Sequence, residues 1–106
     1  MDRDSLYKQH ILDAVEKIQG YTAGVEFDHF INNSLLIDGV VRQLQVIGEA
    51  AKRLSSGFKD SHSEIPWDQV MGMRDKIIHD YADIQLKIVW DAIKDDLPQL
   101  DQALKK

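Results

Sequence analysis

The sequence predicts an all-α protein, an antiparallel bundle of four to five helices, and three observations carry that prediction. Chain breakers are scarce, with six Gly and two Pro among 106 residues, while Leu, Ile, Ala, Lys and Gln favour helix. Apolar residues recur at steps of three and four along most of the chain. No period-two alternation persists long enough to make a strand. A hydrophobic content of 43% suits a globular chain, and the length fits one domain over residues 1–106 with a single core.

Tyr7, Ile11, Ala14, Ile18 and Tyr21 predict an amphipathic first helix from Asp4 to about Tyr21. Asp2 and Asp4 favour its N-terminus, and Gly20 and Gly24 lie where it would end. Phe27, Phe30 and Ile31 predict one or two further turns within 26–33, and Asn32, Asn33 or Ser34 can cap the next helix. Leu36, Val40, Leu44, Ile47, Ala51, Leu54 and Phe58 then predict one long helix with a single apolar stripe. Its Gly39, Gly48, Ala50 and Ala51 permit close approach by a neighbour. Residues 59–65 read as a polar connection. Pro66 starts the next helix, and Asp68 suits the same end. That helix carries Trp67, Val70, Met71, Met73, Ile77 and Ile78 over a broad arc and runs to about His79 or Tyr81. After a break near Ala82–Asp83, a last helix carries Leu86, Val89 or Trp90, Ile93, Leu97, Leu100 and Leu104. Pro98 should kink it or cost one backbone bond.

Composition excludes several chemistries. There is no Cys, hence no disulfide framework, thiolate zinc site or cysteine nucleophile. No H-E-x-x-H, Walker loop or G-x-G-x-x-G occurs, so neither a metal nor a cofactor is expected. The charged N-terminus lacks the apolar run of a signal peptide, and no segment has the apolar length of a membrane span. A soluble, cytoplasmic chain is the expectation. The net charge of −5 weighs against a nucleic-acid partner. The charge is uneven, however: residues 40–59 hold Arg42, Lys52, Arg53 and Lys59 against the single acid Glu49.

The densest polar constellation inside an apolar pattern is MGMRDKIIHDY, residues 71–81. Asp75 and His79 are one helical turn apart, so the carboxylate can accept from the imidazole and fix its tautomer. Arg74 and Tyr81 return to one face after two turns. Arg74 and His79 are separated by roughly 140° around an ideal helix, so one copy of the helix does not bring them together. A guanidinium matches phosphate geometry and a histidine can carry protons, which suits RNA cleavage. Taken by spacing alone, the same residues also suit a solvated helix face ending in a histidine favoured by the helix dipole.

Resemblance separates these readings. IPWDQVMGMRDKIIHDYADIQLKIVWDAIKDDLPQL resembles the C-terminal half of HepT-like HEPN proteins, whose signature runs IPW-x4-GMRN-x3-H-x-Y, followed by IVW and DLP. VVRQLQVIGEAAKRLS is similar to their long central helix. The resemblance implies a HEPN-like helical homodimer whose motifs face each other across a cleft. It also implies metal-independent endoribonuclease activity through Arg74 and His79, with Asp75 orienting His79. The implied partner is an MntA-like minimal nucleotidyltransferase antitoxin, which would modify Tyr81 with AMP. The sequence departs from the family pattern at one point: Asp75 stands where Asn is common, a carboxylate where an RNA phosphate must sit. The alternative is therefore a catalytically weak or inactive binding partner of the nucleotidyltransferase.

Arg42 and Arg53, eleven residues apart on one helical face, are candidates for lining an RNA groove; a solvated face explains them equally well. His10, His29 and His62 have no metal-ligand spacing. Ser55-Ser56-Gly57 reads as capping and termination, and Trp67 and Trp90 as core anchors.

Overall fold

The computed structural model describes residues 2–79 and 86–106, with side chains throughout except at 74–79. It is helical, with no strand among the described residues: α1 Arg3–Thr22, α2 Phe27–Ile31, α3 Ser34–Arg53, α4 Ser56–Ser61, α5 Trp67–His79, α6 Leu86–Asp91 and α7 Leu97–Leu104. A π-helical turn, Ala92–Asp96, joins the last two. The expected all-α bundle is what forms.

α3 is the central helix, packed against α1 on one side and α5 on the other. It runs antiparallel to α1: Arg3 reaches the Arg53 carbonyl at one end, and the Tyr21 ring meets Gly39 at the other. The predicted stripe is what it buries, with Val40, Val41, Leu44 and Ile47 nearly solvent-free. Gly48, Ala50 and Ala51 are buried as well, consistent with close approach by neighbouring helices. α1 contributes Ile11, Ala14, Val15 and Ile18 to the same core. Asp2 caps α1 by accepting from the Ser5 amide at 2.8 Å. Gly24, at φ +72°, lets the chain turn out of the helix.

α2 has only five residues, too few to persist alone. What fixes it is Phe30, fully buried, with its ring 5.0 Å from that of Trp90 on α6; Phe27 lies 6.0 Å from the same indole. Asn33 then caps α3 by accepting from the Leu36 amide.

The structure departs from the pattern at the end of α3. The apolar stripe predicts one helix running through Phe58, but the chain leaves the helix at Leu54, and Phe58 sits on the separate α4. Ser55 is the cause. Its backbone is extended, its hydroxyl accepts from the Phe58 amide, and its own N–H and Oγ donate to the Asp4 carboxylate at 2.8 and 2.6 Å. A local cap tied to another helix outweighs periodic continuation. Part of the expected 59–65 connection is accordingly helical.

These bonds, the Ser55 hydroxyl's foremost, hold the Asp4 carboxyl below its ordinary pKa of 3.8. A folded-state pKa below the unfolded one gives stability that is complete above the unfolded value and is lost as pH falls through the folded value. Asp4→Ala is therefore expected to melt at a lower temperature than wild type at neutral pH. The gap should close in strong acid, where wild type loses the same bonds. Melting curves across the acid range check this; a gap of constant size would contradict it.

Pro98 does not end the last helical run. It lies in the first turn of α7, and the turn before it is widened: the Leu97 amide donates to Ala92 five residues back. Widening one turn accommodates the missing proline N–H, and the apolar face continues through Ile93, Leu97, Leu100 and Leu104, all buried.

Candidate functional site

The site predicted from sequence lies on the second half of α5, so what anchors the first half matters. Pro66 cannot donate, but its carbonyl accepts from the Val70 amide at 3.1 Å, and the helix proper begins at Trp67. The Trp67 indole Nε1 donates to the carbonyls of both Lys59 and His62 at 3.1 Å. Phe58 meets the indole edge-on at 6.3 Å and stacks on His62 at 4.4 Å. α4 and the turn after it thus clamp the start of α5. Val70 is buried one turn later. Trp67 and Trp90 are core residues, as their place on apolar stripes predicts.

The helix then continues without interruption through positions 74, 75 and 79. By helical register, position 74 returns to within roughly 20° of Trp67 and roughly 40° of Val70, whereas position 79 falls roughly opposite Val70. The backbone therefore keeps the geometry expected from sequence: Asp75 and His79 stand one turn apart, while Arg74 and His79 do not share a face. The side chains of Arg74, Asp75 and His79, and the whole of Tyr81, lie outside the described residues.

A groove of about 720 Å³ runs between the first half of α5, up to Met73, and α7. Val70, Gly72 and Met73 form one wall, and Leu97, Leu100 and Ala103 the other. At Gly72 a Cβ would meet nothing within 4 Å, so the helix surface there is open. Its lining is mainly apolar, and the ionised groups along it are Glu64, Asp96 and Lys106. That mixture suits a packed helix better than a phosphate backbone.

Of the two candidate RNA contacts, Arg42 is exposed on α3 with no ion pair among the described residues. Arg53 is exposed at the end of α3 and lies over the Tyr7 ring, beside Arg3. Glu49, between the two on the same face, is engaged in an interaction of its own. Sequence reasoning passed over Arg3 and Tyr7. Their one-turn spacing at the start of α1 was the available signal, and only the antiparallel pairing of α1 with α3 brings Arg53 to them.

Among the described residues no three His, Asp or Glu side chains gather where a metal could sit. His62 instead serves local structure: its Nδ1 lies 3.0 Å from the Phe58 carbonyl and 3.2 Å from the Ser61 hydroxyl. Nor, among the described residues, is any helix long and apolar enough to cross a membrane.

Comparison with known proteins bears on the whole arrangement. Residues 11–106 match the HepT-like family, described as ribonuclease HepT-like. A protein of Caldanaerobacter subterraneus subsp. tengcongensis named as a candidate RNase is 37% identical over 100 residues, 94% of this chain and 89% of the relative. A protein of Thermococcus cleftensis named a probable ribonuclease HepT is 36% identical over 100 residues, 94% of this chain and 91% of the relative. A further candidate RNase, from Methanocaldococcus jannaschii, is 35% identical over 96 residues, 91% of this chain and 79% of the relative. No solved structure gave a significant match. The matched residues include α5 entire and the core stripe of α3, and the chain belongs to the HepT-like ribonuclease family.

Proposed function

We propose that this chain is a metal-independent endoribonuclease, the toxin half of a pair with an MntA-like minimal nucleotidyltransferase. The carrying observation is family membership across residues 11–106, with Arg74, Asp75 and His79 in the register of one unbroken helix. In the proposed reaction a base takes the proton of a ribose 2′-OH, and the 2′-oxygen attacks the adjacent phosphorus. The 5′-oxygen then leaves with a proton, giving a 2′,3′-cyclic phosphate and a 5′-hydroxyl. His79 moves protons, Arg74 balances the charge gathering on the phosphoryl oxygens, and Asp75 orients the imidazole.

One histidine cannot serve as base and acid at the same moment, and Arg74 and His79 diverge around α5. A homodimer with two copies of the motif in one cleft supplies what a single chain lacks. The open, mainly apolar groove along the first half of α5 supports that reading. The test is RNA cleavage in a chelator by wild type, His79→Ala and Arg74→Ala; undiminished cleavage by the variants removes the assignment.

Asp75 and the net charge of −5 favour a second reading, a binding partner that leaves RNA intact. Both readings expect AMP on Tyr81. Incubation with the nucleotidyltransferase and ATP should add the mass of AMP to wild type and not to Tyr81→Phe. A Tyr81→Phe chain that still gains AMP would refute that role. Intact RNA after incubation with the unmodified dimer would select the second reading.

A further inference from the structure

Where α1 begins and α3 ends, side chains from both helices gather around one ring. Arg3, Tyr7 and His10 succeed each other along one face of α1. The Cζ atoms of Arg3 and Arg53 each lie 5.9 Å from the centroid of the Tyr7 ring, and His10 meets that ring edge-on at 5.5 Å. Arg3 Nε donates to the Arg53 carbonyl at 3.2 Å, which ties the start of α1 to the last turn of α3.

This is an unusual place to leave two cations. Both arginines are exposed, and among the described residues neither forms an ion pair. Of the carboxylates nearest in sequence, Asp2 is committed to the amide and hydroxyl of Ser5 and Asp4 to those of Ser55, while Glu49, one turn before Arg53 on the same face of α3, is engaged in an interaction of its own. Two guanidiniums drawn to one ring repel each other, and an anion that both can reach relieves the repulsion. Guanidinium donors match phosphate oxygens in pairs. Arg42, also exposed and unpaired among the described residues, continues the same α3 face eleven residues earlier, about 16 Å along the helix.

We propose that this corner is a second RNA contact, at which Arg3 and Arg53 hold backbone phosphates of a single strand while Tyr7 positions the two guanidiniums. It rests on the reading of α5 as the site of RNA cleavage, and it lies apart from that motif. A single strand fits better than a duplex, because separated phosphates can track around a corner that a stiff helix cannot. The contact would add affinity and direction to long substrates without touching the reacting atoms.

The experiment measures binding of a fluorescent, single-stranded 2′-O-methyl RNA, which lacks the attacking hydroxyl, across a range of salt concentrations. Arg3→Ala/Arg53→Ala should weaken binding about tenfold and flatten the slope of log K against log salt by about 1.4, near 0.7 for each lost phosphate contact. Tyr7→Phe, which keeps the ring, should bind as wild type does, and Tyr7→Leu should lose part of the affinity. Cleavage of a dinucleotide, too short to reach the corner, should be equal in wild type and the double variant. If the double variant keeps the wild-type Kd and salt slope, the corner contact is wrong, and RNA cleavage by the same protein leaves the α5 reading standing. If the wild-type chain neither binds the oligonucleotide nor cuts RNA, the α5 reading falls and this inference falls with it.

Discussion

Changing His79 to Ala is expected to slow RNA cleavage by about a hundred- to ten-thousandfold, the range that general acid–base groups contribute. Arg74→Ala should cost about a hundred- to a thousandfold, comparable to removing one donor aimed at developing charge. Arg74→Lys should recover only part of that, because an ammonium keeps the charge but not the paired donors. Helical content by circular dichroism should be unchanged in all three, since α5 is fixed by its first half. The anchors are the Trp67 indole on the Lys59 and His62 carbonyls and the buried Val70. Because the two positions diverge around one helix, activity should also track the proposed dimerisation. Dilution or an interface change that yields monomers should abolish cleavage while each chain stays folded.

The second large effect concerns stability. Phe30→Ala is expected to cost about 3–5 kcal/mol, a large share of the 5–15 kcal/mol typical of a domain. Phe30 is fully buried against Trp90, and α2 holds no other fully buried residue. Truncation opens a cavity between α2 and α6 and leaves α2 with little to hold it. Trp90→Ala removes the same contact from the other side, together with the packing on Phe27. The two losses should therefore be less than additive in a double variant. Urea unfolding measures all three proteins; a loss below about 1 kcal/mol for Phe30→Ala would show that this aromatic cluster does not bind the halves of the fold together.

Much of this fold was legible because its long helices obey a simple rule. Apolar steps of three and four in α1, in α3 and in the last helical run named the residues that turn out buried: Ile11, Ala14 and Ile18, then Val40, Leu44 and Ile47, then Ile93, Leu97 and Leu100. Periodicity was blind where a specific polar bond overrides it. Nothing in the stripe through Phe58 shows that Ser55 will be held by Asp4, fifty-one residues away, so the break before α4 required the tertiary structure. The widened turn before Pro98 is similar: a missing donor was foreseeable, but not that the helix would absorb it and continue.

The candidate site was legible differently. Arg74, Asp75 and His79 stand out as polar residues within an apolar pattern, and their helical register is set by spacing. Their role came from resemblance over the whole chain, because Arg-x4-His by itself is compatible with an ordinary helix face. Arg3 and Tyr7 escaped a linear reading because the residue that completes their cluster, Arg53, is distant in sequence.

The central claim is that two copies of the α5 motif cleave RNA by attack of the ribose 2′-hydroxyl, with no metal taking part. Its most direct test is cleavage of a defined RNA by the purified wild-type protein in excess EDTA, with chemical analysis of the new ends. The predicted result is undiminished cleavage, with 2′,3′-cyclic phosphate and 5′-hydroxyl termini. Cleavage abolished by EDTA, or products with 3′-hydroxyl and 5′-phosphate ends, would contradict it.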